Sequence, residues 1–386
     1  ANVTLLDMIM PGDPSQTSYG NAGMLARSAI VPVSTPGLLK KIPKMLFDSN
    51  SPLFVRWQYF PKLLPWLIPF LKAGSIKRLP QIVGALDCLT NDCVDQHLRL
   101  SKCTGAENFI RQGPFGFLYP NEKAFFDDKF GLEIKSQYGY VHEKLNRRGI
   151  LKIDPNISER YNFATVFQDH GWITDPANYV KTLFNYYQRS GGKFLRGKVV
   201  DVKNQLLKLE TSRILKADKI VISAGIWSKD LEEKLEFKSK LESERGYHVF
   251  FKGTSVVPPF PMMISDGKFI ATPMKDGLRC AGVVEFGGLK ALPSEAPLNL
   301  IRRKIKEVYP SLSFDEEQTW MGHRPSTPDS LPLIGPVDNY PDVICAFGSQ
   351  HIGLTVGPKI GNLVSDLIFG NRSNFDFKPF RVNRFL

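Results

Sequence analysis

The chain has 386 residues, of which 42% are hydrophobic and 23% are charged, and its formal net charge is +12 at pH 7. These fractions are those of an ordinary globular protein, and the length is enough for two domains with a sizeable core. The positive charge favours acidic partners such as carboxylate substrates, phosphates or an anionic membrane surface. Lysine and arginine are spread along the chain without a dense basic run, which argues against nucleic acid as a partner.

The cysteines bear on the compartment of the protein. Five are present, and this small odd number indicates free thiols in a reducing compartment, so we expect a cytoplasmic protein. Cys88, Cys93 and Cys103 lie close together in sequence. No C-x-x-C pair and no histidine at ligand spacing accompany them, so no metal site is predicted.

The first predicted element is a buried strand at residues 3–6 that ends at Asp7. An acidic residue in that position can bond the ribose hydroxyls of a dinucleotide, although many strands end in aspartate. Residues 11–25 follow and are rich in small and turn-forming residues, including glycines that would let the backbone approach a ligand closely. A surface loop is the alternative interpretation of this stretch.

Residues 32–74 are apolar, aromatic and interrupted by proline. Within them, residues 53–71 approach the length of a membrane span. Pro61, Pro65 and Pro69 are expected to break the helix, and Arg56 and Lys62 would be costly in lipid, so no span is predicted. Two interpretations stay open, a helical hairpin packed on the core and an aromatic, basic surface at a membrane interface.

Residues 76–105 predict one long, mostly polar helix, and residues 109–160 predict short strands and charged helices of a covering domain. Residues 173–202 predict a helix with an Asp-Pro cap, a glycine stop and a strand. Residues 219–223 predict a buried strand followed by a tight turn, which indicates a parallel sheet with covered faces. Residues 244–251, 262–265, 268–272 and 278–284 predict successive antiparallel strands, and residues 298–309 predict a helix.

The stretch from residue 320 to residue 370 divides into three parts. Residues 320–335 predict a proline-punctuated loop that carries Arg324, and residues 343–347 predict a short buried strand. A helix is expected from Thr355 to a stop at Gly370. The linker between strand and helix offers free backbone N–H groups and the positive end of a helix dipole, which predicts a binding site for an anion or a polarised carbonyl.

Six segments carry a family resemblance, and they occur along the chain in the order TSYGNAGML, ISAGIWS, ERGYHVFF, KFIATPMKDGLRCAGVVEFGG, GHRPSTPDSLPLIGP and AFGSQHIGLT. Through this set the chain resembles the D-amino-acid oxidase superfamily of flavoproteins, and within it the bacterial D-amino-acid dehydrogenases. The resemblance implies an α/β fold, α+β overall, with a Rossmann-like FAD-binding domain and an antiparallel-sheet substrate domain. The FAD-binding domain is expected at residues 1–28, 163–232 and 322–386, and the substrate-binding or cap domain at residues 29–162 and 233–321.

The family's first strand and its GxGxxG turn, which wraps the FAD pyrophosphate, have no counterpart in the chain. We therefore expect the first βα unit, about thirty residues long, to be absent. A truncated sequence and a second polypeptide that supplies this unit are the two alternatives.

The resemblance also implies site residues for the cofactor. An acid holds the adenosine ribose, an early loop contacts flavin and phosphates, a strand residue meets the adenine, a turn passes the dinucleotide, and a late loop covers the pyrimidine end of the flavin. The implied FAD-binding residues are Asp7, Thr17, Ser18, Asn21, Ala22, Gly23, Met24, Val199, Ala224, Gly225, Trp227, Ser349, Gln350, His351, Ile352, Gly353, Leu354 and Thr355.

For the substrate, the resemblance implies that Arg324 clamps a carboxylate, since a planar guanidinium matches a carboxylate bidentately. Tyr247 and His248 lie on a strand where the family has substrate-facing side chains, with core packing as the alternative for Tyr247. His351 lies in the flavin loop, where an influence on the redox environment and a structural role are both open.

The implied reaction is FAD-dependent oxidative deamination of D-amino acids, or of cyclic secondary amino acids such as D-proline derivatives, to imines and 2-oxo acids. Electrons are expected to pass to a quinone or another carrier, and no catalytic base is required. A peripheral contact with the inner face of the cytoplasmic membrane is an open option. The alternatives are a glycine/sarcosine-type amine oxidase that uses oxygen, and a non-catalytic flavoprotein subunit that needs a partner.

Overall fold

The computed structural model describes residues 1–39, 51–203 and 205–385. Within these residues the strands are β1 (Thr4–Asp7), β2 (Met24–Leu25), β3 (Leu53–Val55), β4 (Ile110–Tyr119), β5 (His142–Asn146), β6 (Phe163–Ile173), β7 (Lys193–Arg196), β8 (Val199–Lys203), β9 (Leu206–Leu209), β10 (Ile214–Lys216), β11 (Ile220–Ile222), β12 (Glu242–Lys252), β13 (Met262–Ile264), β14 (Phe269–Met274), β15 (Gly277–Phe286), β16 (Glu316–Ser326), β17 (Leu333–Val337) and β18 (Tyr340–Phe347). The α-helices are α1 (Phe60–Ala73), α2 (Leu79–Thr90), α3 (Cys93–Ser101), α4 (Glu122–Asp127), α5 (Lys129–Gln137), α6 (Arg147–Ile153), α7 (Pro176–Arg189), α8 (Glu295–Val308) and α9 (Gly353–Phe369).

The largest sheet has the order β16-β12-β15-β14-β13-β4-β6-β2, with β3 beside β15 and β5 beside β6. Most of its pairs are antiparallel, whereas β4 pairs with β13 and β3 pairs with β15 in parallel. Successive side chains of a strand point to opposite faces of a sheet. One face packs against α8, where Val249 and Cys280 meet Ile301 and Ile305 in the main core. The opposite face, here called the free face, is covered in part, where Phe117, Met263 and Ile270 pack against the cluster that contains Met24 and Ala26.

Two short parallel pairs lie outside this sheet. β1 pairs with β7, and β11 pairs with β18, which also pairs antiparallel with β17. The β11–β18 pair confirms the parallel pairing predicted for residues 219–223. The predicted burial was wrong in part, because Val221 on β11 is 40% exposed and Val3, in the strand predicted as buried at residues 3–6, is 53% exposed. The predicted strand at residues 343–347 is confirmed within β18, and α9 ends as predicted at Gly370, which adopts a left-handed conformation (φ 68°).

The predicted loop at residues 320–335 and the predicted helix at residues 76–105 were wrong. The predicted loop at residues 320–335 begins inside β16, so Arg324 lies on a strand. β16 is at the edge of the sheet, where Pro325 can lack an N–H without breaking a ladder. The single helix predicted at residues 76–105 is two helices, α2 and α3. Arg27 Nη1 donates to the carbonyl oxygen of Asn91 at 2.6 Å, and this hydrogen bond satisfies the backbone at the C-terminal end of α2.

α1 runs through Pro65 and Pro69, which the sequence predicted as helix breakers. Its inner face packs Trp66 and Phe70 against Phe286. Its outer face leaves Leu64 42% and Ile68 56% exposed. The predicted helical hairpin falls partly on residues 40–50, outside the described residues. No described helix has both the length and the apolar composition needed to cross a bilayer.

The division into two domains stays a prediction. β2 and β6 belong to segments predicted for the FAD-binding domain, and both are hydrogen-bonded into the largest sheet. Whatever the domain boundary, the two predicted parts therefore share one continuous sheet.

Candidate functional site

A cavity of about 570 Å³ lies on the free face of the largest sheet, between the loop at residues 17–33, α1 and the start of α9. Two rows of cross-strand neighbours form its floor. One row consists of Phe117, Met263, Ile270 and Ala281. The other row consists of Phe286, Glu244 and Arg324. Of the residues singled out in the sequence, those that line the cavity are Thr17, Asn21, Ala22, Met24, Arg324, Gln350, His351, Ile352 and Thr355.

The loop that carries Thr17, Asn21, Ala22 and Met24 is held by Arg279 on β15. Arg279 Nη1 donates to the carbonyl oxygens of Tyr19 at 3.0 Å and Asn21 at 2.9 Å. Burial lowers the pKa of Arg279 to about 10, so the guanidinium remains charged at pH 7. The loop therefore depends on a buried cation that is distant in sequence.

Two threonine hydroxyls join this loop to the other walls. Thr17 Oγ1 donates to the carbonyl of His323 on β16, and Thr355 Oγ1 on α9 donates to the carbonyl of Met24, each at 2.9 Å. These bonds bring the early loop, the strand of Arg324 and the start of α9 together. The sequence predicted each segment separately, and the structure places them around one cavity.

The start of α9 has its backbone donors free of side-chain caps. Residues 350–352 form a 3₁₀ turn that leads into the helix, and neither Ser349 nor Ile352 caps it with a side chain. Gln350 instead donates to the carbonyl of Thr327 at 2.9 Å. An uncapped start of a 17-residue helix carries partial positive charge, which suits an anion or an electron-rich ring edge.

Arg324 lies directly opposite Glu244 in the β12–β16 register. Its guanidinium lies over Gly246, where an added Cβ would be 2.7 Å from Cζ of Arg324. Among the described residues, Arg324 has no hydrogen-bond acceptor and no ion pair, although Glu244 is close enough to influence its pKa. Burial lowers the pKa of Arg324, and Glu244 opposes that effect. A guanidinium in this state is a ready site for an anionic ligand.

Tyr247 points to the opposite face of β12, so the substrate-facing position expected for it is not observed. Its hydroxyl donates to Glu285 Oε2 at 2.6 Å and accepts from the Ser294 N–H at 3.1 Å. Burial and then the bond to Glu285 raise the pKa of Tyr247 to about 12. The alternation of side chains along a strand explains this placement, since Glu244 and Gly246 already take the cavity side.

His248 lies on the cavity side of β12, but behind the residues that line the cavity. Its ring stacks on Trp320 at 5.3 Å between centroids, and its Nδ1 donates to the Gly20 carbonyl at 3.1 Å. Burial and then Arg279 lower the pKa of His248 to about 3. Trp320 and Gly20 line the cavity and His248 does not. It is therefore placed as a support for the wall and not as a substrate contact.

His351, for which the sequence left a redox influence and a structural role open, lines the cavity. His351 is exposed to the cavity, but the protein packed around its ring and then the charge of Arg324 lower the pKa of His351 to about 4, so the ring is neutral at pH 7. A second cation beside Arg324 is thereby avoided.

The remaining predicted cofactor residues do not line the cavity. Asp7 at the end of β1 accepts from Gln16 Nε2 at 3.2 Å, and its carbonyl accepts from the Gly197 N–H, two residues before Val199. The ring of Trp227 meets His323 edge-on with centroids 6.1 Å apart, next to the carbonyl that Thr17 bonds. Those that do not line the cavity are Asp7, Ser18, Gly23, Val199, Ala224, Gly225, Trp227, Ser349, Gly353 and Leu354.

Two site residues were missed in the sequence. Glu244 and Arg279 are charged residues inside strands that the structure buries, with 3% and 6% of their surface exposed. A charged residue inside a buried strand is a signal of a special contact, because an isolated buried charge is costly. The contact itself depends on pairing between strands distant in sequence.

Comparison with known proteins identifies the family. The family model described as DAO, FAD dependent oxidoreductase, matches residues 1–367. The chain is 35% identical over 394 residues to a D-amino-acid oxidase from Bradyrhizobium diazoefficiens, covering 100% of this chain and 93% of that one. It is 22% identical over 357 residues to a D-amino acid dehydrogenase from Helicobacter pylori, covering 91% and 85%. The fold is similar to that of a glycine oxidase from Geobacillus kaustophilus, with a TM-score of 0.73, 18% identity and 99% and 92% of the two chains covered.

The described residues fit FAD. The uncapped start of α9 offers N–H groups and positive charge to the electron-rich end of a flavin. Asp7 offers carboxylate oxygens at the end of a strand, as a ribose requires. At Gly23 (φ 75°) an added Cβ would collide with the carbonyl oxygen of Ile173, so only glycine fits this turn beside the cavity. The chain belongs to the DAO family of FAD-dependent oxidoreductases.

Proposed function

We propose that the enzyme oxidises D-amino acids, or cyclic secondary amino acids such as D-proline derivatives, to imines that hydrolyse to 2-oxo acids. The observation that carries this proposal is Arg324, a guanidinium on the wall of the cavity that has no acceptor among the residues that the structure describes. The names of the two relatives, a D-amino-acid oxidase and a D-amino acid dehydrogenase, support an amino acid as the substrate.

In this proposal each part of the cavity has a defined role in binding. Arg324 binds the substrate carboxylate through two parallel hydrogen bonds, which orients the Cα–H bond. Phe286 and Trp66 cover the neighbouring wall with apolar surface and exclude water. The start of α9 and the loop at residues 17–24 hold the flavin. When bound, FAD supplies the acceptor for the two electrons that leave the substrate.

The direct test is anaerobic reduction of the purified flavoprotein by single amino acids, followed through the flavin absorbance. We expect D-amino acids or D-proline derivatives to bleach the flavin and their L-enantiomers to leave it oxidised. A flavoprotein that no D-amino or D-imino acid reduces would contradict the proposal. A colourless chain that gains flavin only with a second polypeptide would favour the subunit alternative.

For the electron acceptor, we propose a quinone or another carrier. The alternative is oxygen, and the D-amino-acid oxidase relative at 35% identity favours it. Turnover with a soluble quinone under nitrogen, compared with oxygen uptake and peroxide formation in air, separates the two. Stoichiometric peroxide, with no faster turnover on the quinone, would overturn the carrier proposal.

We also propose that α1 touches the inner face of the cytoplasmic membrane. Leu64 and Ile68 lie one turn apart on its outer face and are exposed, and Lys62 and Lys72 are exposed on the same helix. Apolar side chains beside lysines suit the interface of an anionic bilayer. A membrane position would bring the site close to a lipid-borne quinone.

Replacing Leu64 and Ile68 together by glutamate is expected to abolish flotation of the protein with anionic vesicles while leaving flavin reduction unchanged. The physical reason is the loss of two inserted side chains and the addition of two charges that the lipid repels. The matched control is Val141→Glu with Leu292→Glu, two residues that are each 80% exposed on other elements. Equal flotation of the wild type and the α1 variant would remove this face as a membrane contact.

Gly246→Val is expected to raise KM for the amino acid while FAD remains bound. The valine Cβ would take the space of the Arg324 guanidinium, which lies 2.7 Å from the position of that atom. A displaced Arg324 would no longer align the substrate, and kcat/KM is expected to fall roughly tenfold or more. The control is Gly361→Ala on α9, where an added Cβ meets nothing within 4 Å. An unchanged KM for Gly246→Val would show that Arg324 does not need this position.

Arg279→Met is expected to weaken FAD retention more than it changes KM. The variant leaves the carbonyls of Tyr19 and Asn21 without a donor and frees the loop that lines the cavity. Hydrogen bonds to charged groups contribute about 1.5–3 kcal/mol each, so thermal stability should also fall. Flavin release on dilution and the melting temperature are the measurements. Normal flavin retention in the variant would contradict the role given to Arg279.

A further inference from the structure

Glu244 is a carboxylic acid on the wall of a cavity that otherwise suits a carboxylate substrate. Its side chain is buried, with 3% of the residue exposed, and it lines the same cavity as Arg324. An acid beside the carboxylate clamp would repel a simple anion. We propose that Glu244 binds the substrate ammonium group and accepts its proton, which makes it a proton acceptor in the reaction and a determinant of specificity for amino acids. This inference rests on the proposed function.

The cross-strand register places Glu244 and Arg324 side by side on one face of the sheet. Glu244 and Arg324 are directly opposite each other on β12 and β16, which puts their Cβ atoms about 5 Å apart. No ion pair joins them in the part of the chain that the structure describes. In an α-amino acid the ammonium and carboxylate groups are attached to one carbon. The pair of guanidinium and carboxylate is therefore complementary to the zwitterion.

Among the described groups around Glu244, Glu244 itself is the acid that faces the proposed substrate site. From β12, Glu242 is near and raises its pKa, but the carboxylate of Glu242 is bonded by the Tyr59 hydroxyl at 2.8 Å. From β16, Arg324 and Ser326 lower its pKa. From the turn before α9 comes the neutral ring of His351, whose pKa is about 4. β15 and α1 contribute apolar side chains, Phe286 and Trp66, to the same wall.

Burial is the largest influence on Glu244 and raises its pKa, so the carboxylate is a stronger base than an exposed glutamate. The proposed step breaks one N–H bond of the substrate ammonium. Its electron pair stays on nitrogen, and the proton forms an O–H bond on Glu244. The products are a neutral amine and a neutral carboxylic acid. The neutral amine has the lone pair needed to form the C=N bond as electrons leave for FAD, and the proton returns to water after product release.

The first test compares two ligands that cannot be oxidised because their α-carbon has no removable hydrogen or no amino group. 2-Aminoisobutyrate keeps both charged groups, and isobutyrate lacks the ammonium. Dissociation constants of the FAD-loaded enzyme are measured by calorimetry. For Glu244→Gln we expect 2-aminoisobutyrate to bind roughly tenfold or more weaker and isobutyrate several-fold tighter. Glu242→Gln, a buried acid two residues away on the same strand, should change both constants by less than about twofold.

The opposite signs separate this role from a structural one. A merely structural loss at residue 244 would weaken both ligands, and that outcome overturns the inference. The wild-type enzyme gives the same test without any substitution that risks misfolding. As the pH falls through the pKa of Glu244, the ionised form of isobutyrate should bind more tightly and 2-aminoisobutyrate more weakly, with the constants for isobutyrate corrected for its own protonation. Parallel changes for the two ligands would also overturn it.

The second test is the pH dependence of flavin reduction by an accepted amino acid. Without the acceptor, Glu244→Gln should react only through the free amine, so its rate should rise about tenfold per pH unit over a range where the wild-type rate is flat. Glu244→Asp should restore part of the flat range. If D-amino acids reduce the wild-type flavin but Glu244→Gln keeps the wild-type profile, the inference fails and the proposed function stands. If no amino acid reduces the flavin, the proposed function fails, and the binding test still decides the zwitterion contact.

Discussion

Arg324→Ala is expected to raise KM for the amino acid strongly while the flavin remains bound. Removing one partner of a desolvated charge pair costs about 2–5 kcal/mol, which corresponds to roughly thirtyfold to several thousandfold in kcat/KM. The flavin should be retained because the residues proposed to hold it lie on the loop at residues 17–24 and at the start of α9, whereas Arg324 lies on β16. Steady-state kinetics and the flavin-to-protein absorbance ratio are the measurements.

Two variants sharpen this result. Arg324→Lys should recover only part of the loss, because an ammonium is a point charge without the planar fork of a guanidinium. Arg302→Ala is the matched control, since Arg302 on α8 forms an ion pair with Glu317 at the surface and such pairs contribute about 0–1 kcal/mol. If Arg324→Ala keeps wild-type kinetics, the carboxylate binds elsewhere and the cavity is not the substrate site.

A second large effect is expected on the free energy of unfolding when the pH is lowered. His97, His170 and His248 are buried, and burial lowers their pKa values to about 4, about 4 and about 3. An unfolded chain binds these protons near pH 6.5. The folded chain therefore has its full stability above about pH 6.5 and loses it as the pH falls towards 4, by up to about 1.4 kcal/mol per pH unit for each histidine. Together the three contribute up to about 4 kcal/mol per pH unit.

Buried glutamates change the pH dependence of stability in the opposite direction. Burial raises the pKa of Glu232, Glu242 and Glu244, so the folded chain binds their protons more readily than the unfolded chain does. The net slope is therefore smaller than the histidine sum, and single variants are needed to isolate each histidine. Urea unfolding at pH 7, 6, 5 and 4.5 gives the slope of the unfolding free energy against pH.

His97→Gln should flatten this slope by up to about 1.4 kcal/mol per pH unit. In the folded chain, Nδ1 of His97 accepts from the Tyr179 hydroxyl at 2.8 Å, and Nε2 donates to the Leu354 carbonyl at 2.9 Å. Since Leu354 lies in the first turn of α9, acid should also loosen the start of the helix and release flavin. His142→Gln on β5 is the comparison: burial also lowers the pKa of this half-buried ring, so the variant should flatten the slope as well, but less than His97→Gln. An equal slope in wild type and His97→Gln would contradict the prediction.

Much of the fold was predictable because the local pattern of apolar residues determines it. The apolar run at residues 343–347 and the helical spacing after it place a strand end against a helix start, and the structure has both. The stop at Gly370 follows from the conformational freedom of glycine. By contrast, the prolines of α1 and the strand around Arg324 were predicted wrongly, since neighbouring elements decided the outcome there and not local propensity.

For the site, the sequence by itself determined which residue types are present, the family to which they point, and Arg324 as the candidate clamp. Only the tertiary structure decided which of them share a surface. The register of β12 against β16 puts Arg324, Gly246 and Glu244 on the cavity side and turns Tyr247 to the core. Arg279 reaches the carbonyl of Asn21 across 258 residues of sequence. Strand register and such distant contacts are set by the packing of the whole chain, because a shift of one residue would move every side chain of β12 to the other face.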